Sequence, residues 1–465
     1  MAGIGFRLAR MAREGGIGGV AGAAIHGAVI SSGPWLLAAG AVLALERWST
    51  HHAARADAAA LQAVLIYAFS VSAVLAAPVV MLTTRAVADR LFARESGAVP
   101  GLLVAALAAV TLLALAAGAL LYALGGLAPI DQLLATTILA LLSQIWVLNL
   151  FLTALRRYRT ILIAYLAGIA PVLLGVLAID VTGLTLLLAM VGSGLAITAA
   201  TLLVAIRRSF AAVARWPDDL PRLARDGAHI ALAGLAAALA LWIDKWLLWV
   251  VADDSVPALG MLHHNPVHDP ASFLGLLSLV PGLTLVLIVT ETRFDRQFAR
   301  LMAACTRAGT FRRIEQARKA LARGIAAEAR LLVVAQAAVA CLLWVLAPRL
   351  FDAIGADPRG IFAFRFTVVG AVFHLMVVFA TIVLAYFDLY GRILMIWTIF
   401  ALASAAGTLV ALPAGFAGYG QGYLAGAIVA ASVSVALVAQ ALGQLGYLLF
   451  VGNNPAVMGG QRRWA

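Results

Sequence analysis

The chain has 465 residues, 64% of them hydrophobic and only 12% charged, with a mean hydropathy of +1.01; soluble domains carry about 25% charged residues. That balance excludes a row of soluble domains, and it equally excludes a disordered chain, which needs low hydrophobicity. The two cysteines, Cys305 and Cys341, form no Cys-x-x-Cys pair, so neither a disulfide framework nor a metal site is supported, and the remaining class is a polytopic membrane protein.

In chain order, apolar runs long enough to cross about 30 Å of hydrocarbon, ~20 residues each, fall near 19–45, 60–83, 101–124, 131–153, 160–179, 182–205, 228–251, 271–291, 330–347, 364–387, 392–413 and 421–450. They are rich in Leu, Ala and Val at all angles with no period of two, which predicts an all-α protein of twelve transmembrane helices and not a barrel. The first run is too long for a cleavable signal. With the N-terminus in the cytoplasm, the inner segments hold 27 of the 33 basic residues, and the outer loops hold only Arg47, Arg55, Arg349 and Arg359. The positive-inside rule therefore predicts an even number of spans with both termini cytoplasmic. The net charge of +12 is accounted for by topology, without a nucleic-acid partner.

Two polar stretches stand out on the inner side. The first, 207–227, separates an N-terminal set of six spans (1–206) from a C-terminal set (228–465). The second, 292–329, reads as an amphipathic arm with Phe294, Phe298, Phe311, Ile314, Leu321 and Ile325 among many arginines. Such a helix suits a surface-lying elbow on the anionic inner leaflet, or a docking site for a cytoplasmic partner. Six plus six spans is the gross plan of a carrier built from two bundles.

No cofactor is implied. A phosphate loop needs Gly-Lys-Ser/Thr, and neither Lys245 nor Lys319 follows a glycine. No nucleophile elbow, zinc-protease motif or polar domain with paired carboxylates is present, so transport is a better class than catalysis. Polar residues within spans are costly and mark candidate pathways. In span seven, LALWIDKWLLWV puts Trp242, Trp246 and Trp249 on one face with Lys245 beside them. Asp244 points largely away, and sequence neighbours do not face each other on a helix. A partner on another helix is expected, and Arg365 near the outer start of span ten lies at comparable depth. The alternative is that Lys245 and Arg365 snorkel to the outer interface within a tryptophan belt. His26 and His374 sit deeper, either as hydrogen-bonded packing or as proton relays. Ser31-Ser32-Gly33-Pro34-Trp35 interrupts span one, and Pro281-Gly282 interrupts span eight, as kinks that free backbone carbonyls. Gln144 and Asn149 in span four offer neutral hydrogen bonds, and Trp35 of span one and Trp146 of span four offer flat apolar faces, as a sugar requires. The same groups can equally pack helices.

Taken together, MAGIGF with its following arginines, SSGPW at 31–35, Asp244-Lys245-Trp246, Thr290-Glu291-Thr292 and Tyr386-Phe387-Asp388 make a string that resembles the PelG family of exopolysaccharide exporters along the whole chain. The resemblance implies a bacterial inner-membrane transporter of the multidrug/oligosaccharidyl-lipid/polysaccharide flippase type, with two six-helix lobes around a central cavity. It implies a galactosamine- and N-acetylgalactosamine-rich polysaccharide as cargo in biofilm matrix secretion. It also implies a cytoplasmic glycosyltransferase (PelF-like) and membrane proteins (PelD-like and PelE-like) as partners. It carries over no established catalytic residues; the pathway candidates Ser31, Ser32, Trp35, His26, Gln144, Trp146, Asn149, Asp244, Lys245, Glu291, Arg365 and His374 rest on the residues themselves. Competing readings are a lipid-linked oligosaccharide flippase or multidrug antiporter of the same fold, and, from another class, a membrane scaffold for a polysaccharide synthase complex that acts through the 292–329 arm.

Overall fold

The computed structural model describes residues 55–155, 157–178, 183–210, 215–306 and 309–452. The first expected span, with His26, Ser31, Ser32 and Trp35, lies outside them. Among the described residues, ten helices are long and apolar enough to cross a membrane, and Arg159–Gly175 forms a shorter apolar helix. Helices α1 (Arg55–Phe92), α2 (Val99–Leu124), α3 (Pro129–Ala154), α4 (Tyr158–Ala178) and α5 (Leu184–Arg207) realise spans two to six. A short helix, α6 (Leu220–Asp226), leads into α7 (Ala228–Val251), span seven. Span eight is α8 (His268–Leu277) and α9 (Leu279–Val289), prolonged through a π turn (Thr290–Phe294) into α10 (Asp295–Thr306). Then come α11 (Phe311–Ile354), α12 (Ile361–Tyr386), α13 (Tyr390–Ala411) and α14 (Gln421–Gly443).

Helix ends follow local chemistry. Pro100 and Pro129 sit in the first turns of α2 and α3, where a missing N–H costs nothing. The Thr310 side chain accepts from Arg313 N to start α11, and Gly355, at φ 68°, closes it in the left-handed conformation. The expected interruption of span eight falls at Ser278, three residues before Pro281, so the proline occupies the first turn of α9. The carbonyl of Ser278 accepts from Gln336 Nε2 of α11 at 2.9 Å. A bare Cα at Gly282 keeps that approach open, because a Cβ there would collide with Gln336 Oε1 and would also meet Leu375 at 2.7 Å.

Two features depart from the sequence expectation. The 292–329 stretch does not lie apart as an elbow. It is the prolongation of two membrane helices, α10 and the first half of α11, which pack on each other. Phe294, Leu301, Leu321 and Ile325 are buried there, and Phe298 meets Tyr386 and Phe387 edge to face. Arg318 is fixed by Glu315 (2.7 and 2.8 Å) and by the carbonyl of Leu442 (3.0 Å) beyond α14's apolar core. At 44 residues and 1.5 Å per residue, α11 is about 66 Å long, roughly twice the hydrocarbon thickness. The second departure is a β-hairpin, β1 (Val256–Leu259) and β2 (Leu262–His264), antiparallel with Val256 opposite His264, in the loop after α7.

The helices before Arg207 pack mainly on one another, as do those after Ala228, and α1 lying along α7 is the main bridge between the two sets. Small residues permit close crossings within a set, as membrane packing favours. At the α4–α5 crossing, a Cβ on Gly194 would meet Val172 at 2.5 Å and the Gly168 carbonyl at 2.7 Å, whereas one on Gly192 would meet nothing closer than 3.8 Å. Gly194→Ala is therefore expected to lower the melting temperature of the purified protein, at a cost of about 1–3 kcal/mol. Gly192→Ala, in contrast, should leave it unchanged or raise it slightly through helix propensity; equal effects of the two would contradict the crossing.

Candidate functional site

The largest concentration of buried charge lies where α7 meets the start of α8. Asp244 and Lys245 are only 1% and 4% exposed, too deep for either to stand alone. Lys245 Nζ turns back along its own helix to donate to both Asp244 oxygens (3.1 and 3.2 Å) and to the Leu241 carbonyl (3.1 Å), over the ring of Trp242. The expectation that these two sequence neighbours ignore each other is thus corrected. A four-carbon stem is long enough to bring the ammonium back around the helix, and burial rewards the pairing. His268, fully buried, faces the same carboxylate, with Nε2 at 3.7 Å from Asp244 Oδ2 and Nδ1 at 3.4 Å from Asp269 Oδ1. Asp269 Oδ2 accepts from Trp249 Nε1 (2.9 Å) and from the backbone N–H of Asn265 (3.0 Å). Asn265 Oδ1 in turn accepts from the N–H groups of Val267 and His268, which fixes the entry into α8.

The contact expected between Asp244 and Arg365 does not form. The Arg365 guanidinium lies 5.1 Å over the Trp344 ring and its Nε donates to the Trp344 carbonyl, so α12 turns it toward α11. Nor do the span-seven tryptophans form an interfacial belt. Trp249 lies against Tyr67 (ring centroids 4.6 Å apart) and Trp242 against Phe69 (6.1 Å), so this face packs on α1. His374 Nδ1 meets Tyr423 Oη at 2.7 Å, with its ring against Trp397 and Phe400, as hydrogen-bonded packing between α12, α13 and α14. Gln144 donates to Thr111 (2.8 Å), Trp146 to Ser72 (3.2 Å) and Asn149 to Tyr165 (2.8 Å). These bonds tie α3 to α2, α1 and α4, and the buried Asn149 Oδ1 makes no hydrogen bond to the described residues. Glu291 lies in the π turn at the end of α9.

The two sets of helices are tied at both ends of the α1–α7 seam. At the Arg-rich end, Arg85 of α1 donates to Asp388 Oδ1 (2.6 Å) and Tyr390 Oη (3.1 Å), which lie between α12 and α13. Asp388 holds φ at 56°, a left-handed value that Asp tolerates better than most residues. Arg90 adds bonds to Glu95 and Asp219. At the opposite end the hairpin reaches across. Tyr67 Oη donates to the His263 carbonyl (2.8 Å) and accepts from the His263 N–H (3.2 Å), and Met261 N–H donates to the Leu124 carbonyl (3.1 Å). Gly260, at φ 54°, makes the tip, where a Cβ would lie 2.6 Å from the Gly125 carbonyl oxygen. Beside it, burial lowers the pKa of His264, a shift that the Asp269 carboxylate partly opposes. At the foot of α12, hydrogen bonds from Arg359 hold the Asp357 carboxyl below the usual carboxylate range.

His268, Asp269, Asn265 and the Tyr67–His263 tie were not singled out from the sequence. The signal was the run His263-His264-Asn265-Pro266-Val267-His268-Asp269, too polar for an idle connection. It read as an outer loop only because it lacks Lys and Arg. The buried pair has a direct test. Lys245→Met strands a buried carboxylate and should cost about 3–5 kcal/mol in thermal unfolding of the purified protein. The double variant Asp244→Asn/Lys245→Met should recover most of that, and a double variant as unstable as the single one would contradict the pairing.

The family model of PelG, described as "putative exopolysaccharide exporter (EPS-E)", matches residues 1–450. No curated protein matches the chain. Among solved structures, an outward-facing multidrug resistance MATE family transporter of the MOP superfamily is similar, with a TM-score of 0.62 at 17% identity over 90% of this chain and 96% of that one. Its inward-facing counterpart is similar with a TM-score of 0.60 at 16% identity, covering 84% and 91%. So is a MOP superfamily transporter from Pyrococcus furiosus with a binding pocket of reversed polarity, with a TM-score of 0.61 at 16% identity, covering 91% and 96%. At such identities the likeness is one of fold: a multi-pass transporter fold.

Proposed function

The chain belongs to the PelG family of exopolysaccharide exporters, and we propose that it carries a galactosamine- and N-acetylgalactosamine-rich polysaccharide outward across the bacterial inner membrane for the biofilm matrix. The observation that carries this reading is the match of the family model over residues 1–450, on a chain with a transporter fold. We place both termini and the Arg-rich end in the cytoplasm, because 27 of 33 basic residues then lie inside. The hairpin end then faces the periplasm. The lobes in this reading are 1–206 and 228–465, joined by 207–227. The polar ties at the two ends of the α1–α7 seam suit a carrier, since opening toward either side needs only the ties of that side to part. The protruding α10–α11 pair offers the glycosyltransferase and membrane partners a cytoplasmic surface.

A scaffold needs no such opening, and this separates the two readings. In cells lacking the chain, wild type should restore secreted galactosamine-rich polymer. A Tyr67→Cys/His263→Cys variant, joined by a short bifunctional maleimide, should drop secretion to the background of the deletion while each single variant still exports. Undiminished secretion through the joined protein would overturn the carrier reading and favour a scaffold.

A further inference from the structure

The buried cluster at the α7–α8 junction carries a charge imbalance that nothing in the export reading uses. Asp244 and Lys245 cancel. Asp269 does not: among the described residues its carboxylate is held by two neutral donors, Trp249 Nε1 and the Asn265 N–H. With a neutral imidazole the group therefore holds one negative charge in excess, in a place where burying an unpaired charge is costly. The side chain placed to cancel it is His268. Its two ring nitrogens face two different carboxylates, Nδ1 at 3.4 Å from Asp269 Oδ1 and Nε2 at 3.7 Å from Asp244 Oδ2. Nε2 makes no hydrogen bond to any described residue, although a neutral ring has only one proton for its two nitrogens. Only the imidazolium presents an N–H toward each of the two carboxylates and a positive charge between them.

We propose that His268 is a proton-binding site whose occupancy sets whether the β-hairpin stays latched onto α1. The connection to the latch is short. Asp269 is bonded to Trp249, whose ring lies against Tyr67, and Tyr67 exchanges two hydrogen bonds with His263 of the hairpin. Asp269 is also bonded to Asn265, the residue after the hairpin's last strand residue, His264. A proton on His268 neutralises the cluster and holds this arrangement. Without it, the excess charge is relieved by admitting water, and the water's way in is past the hairpin. The proton comes from the solvent at the hairpin end, which lies only about two helical turns beyond Asp244 along α7. Proton uptake there would close the hairpin end, and proton loss would favour its opening.

The other ionisable groups around the site are accounted for. On α7 they are Asp244 and Lys245. From the segment before α14, the Tyr419 ring meets His268 edge-on at 5.9 Å, and its hydroxyl donates to Asp254, which also faces Arg359, while lying beside the Asn265 side chain. On the hairpin, burial lowers the pKa of His264 and the nearby Asp269 carboxylate opposes that shift, while the His263 ring is turned to the Met261 carbonyl at 3.0 Å. On α12, which packs on α8, Arg365 is turned to Trp344 and His374 is bonded to Tyr423.

The test needs no glycan, so its failure would leave the export reading untouched. Spin labels are placed at Met261→Cys on the hairpin and Ile130→Cys on α3, both exposed, in a Cys305→Ala/Cys341→Ala full-length chain in nanodiscs. Their separation is then measured between about pH 5.5 and pH 8.5, across the range where histidine changes charge. The wild-type cluster should give a short, narrow distribution at acid pH and gain a longer one at alkaline pH. His268→Gln, which binds no proton, should show the long component at both pH values. Asp269→Asn, which removes the excess charge, should stay short at both. A wild-type separation that does not respond to pH would overturn the proposal, and so would a His268→Gln protein that keeps the wild-type response. Should His268→Gln fail to fold, Asp269→Asn decides alone, and an undiminished pH response in it would overturn the proposal.

Discussion

Along the seam between α1 and α7, two kinds of side chain alternate in what they allow. Toward the Arg-rich end α7 presents a glycine: a Cβ on Gly234 would meet Met81 at 2.6 Å and the Ala77 carbonyl at 2.8 Å, so the helices touch backbone to side chain. Toward the hairpin end α7 presents Trp242 and Trp249, received by Phe69 and Tyr67. In hydrocarbon, helices associate through such close packing and through polar contacts, since lipid offers no hydrophobic gain for burying apolar surface. Among the described residues, the two sets of helices are joined mainly by this contact and by the polar ties that bracket it. Because the Arg85–Asp388 pair is more than a third exposed on both sides, it contributes on the order of 0.2–1 kcal/mol. A tie of that size is suited to being broken and remade.

The buried ions obey a different rule. A pair as deep as Asp244–Lys245 is weak evidence for stability, because the desolvation of both charges offsets their attraction. What such a pair does supply is a fixed register: Lys245 folds onto both oxygens of Asp244, one of which, Oδ2, also faces His268, and the entry into α8 is held by Asn265. The cluster sits immediately beneath the hairpin that crosses from one set of helices to the other. Charge state and hairpin position thus share residues, and a change in one is felt by the other over the length of two side chains.

Much of the architecture was legible in the sequence, for a plain physical reason. A bilayer demands about 20 apolar residues per crossing, and that demand is visible as composition, so the described helices fall on the expected runs. The transporter fold and the family were likewise legible, from SSGPW, Asp244-Lys245-Trp246 and Tyr386-Phe387-Asp388 read together. Side-chain pairing was not. Helical angles alone put Asp244 and Lys245 apart, yet a lysine has enough rotors to return to its neighbour. The same angles do not reveal that Arg365 finds the face of Trp344 one helix away. The hairpin escaped notice because its strands are only four and three residues long, too short for an alternating pattern. The extent of the 292–329 stretch was visible, but its form was not: amphipathicity describes a helix against a membrane surface and a helix against another helix equally well.

Neutral polar groups illustrate the same limit. Gln144, Trp146 and Asn149 have the chemistry that a sugar pathway wants, and in the fold each is bonded to a neighbouring helix. The central claim remains that this chain itself moves a glycan. Reconstituting the purified protein alone into liposomes loaded with a labelled N-acetylgalactosamine oligosaccharide, and following release against protein-free liposomes, tests it most directly. The expected result is release that depends on the protein and stops when the hairpin is chemically fixed to α1. Release no faster than from protein-free liposomes, while partner proteins added back restore polymer synthesis but not its passage, would contradict the claim.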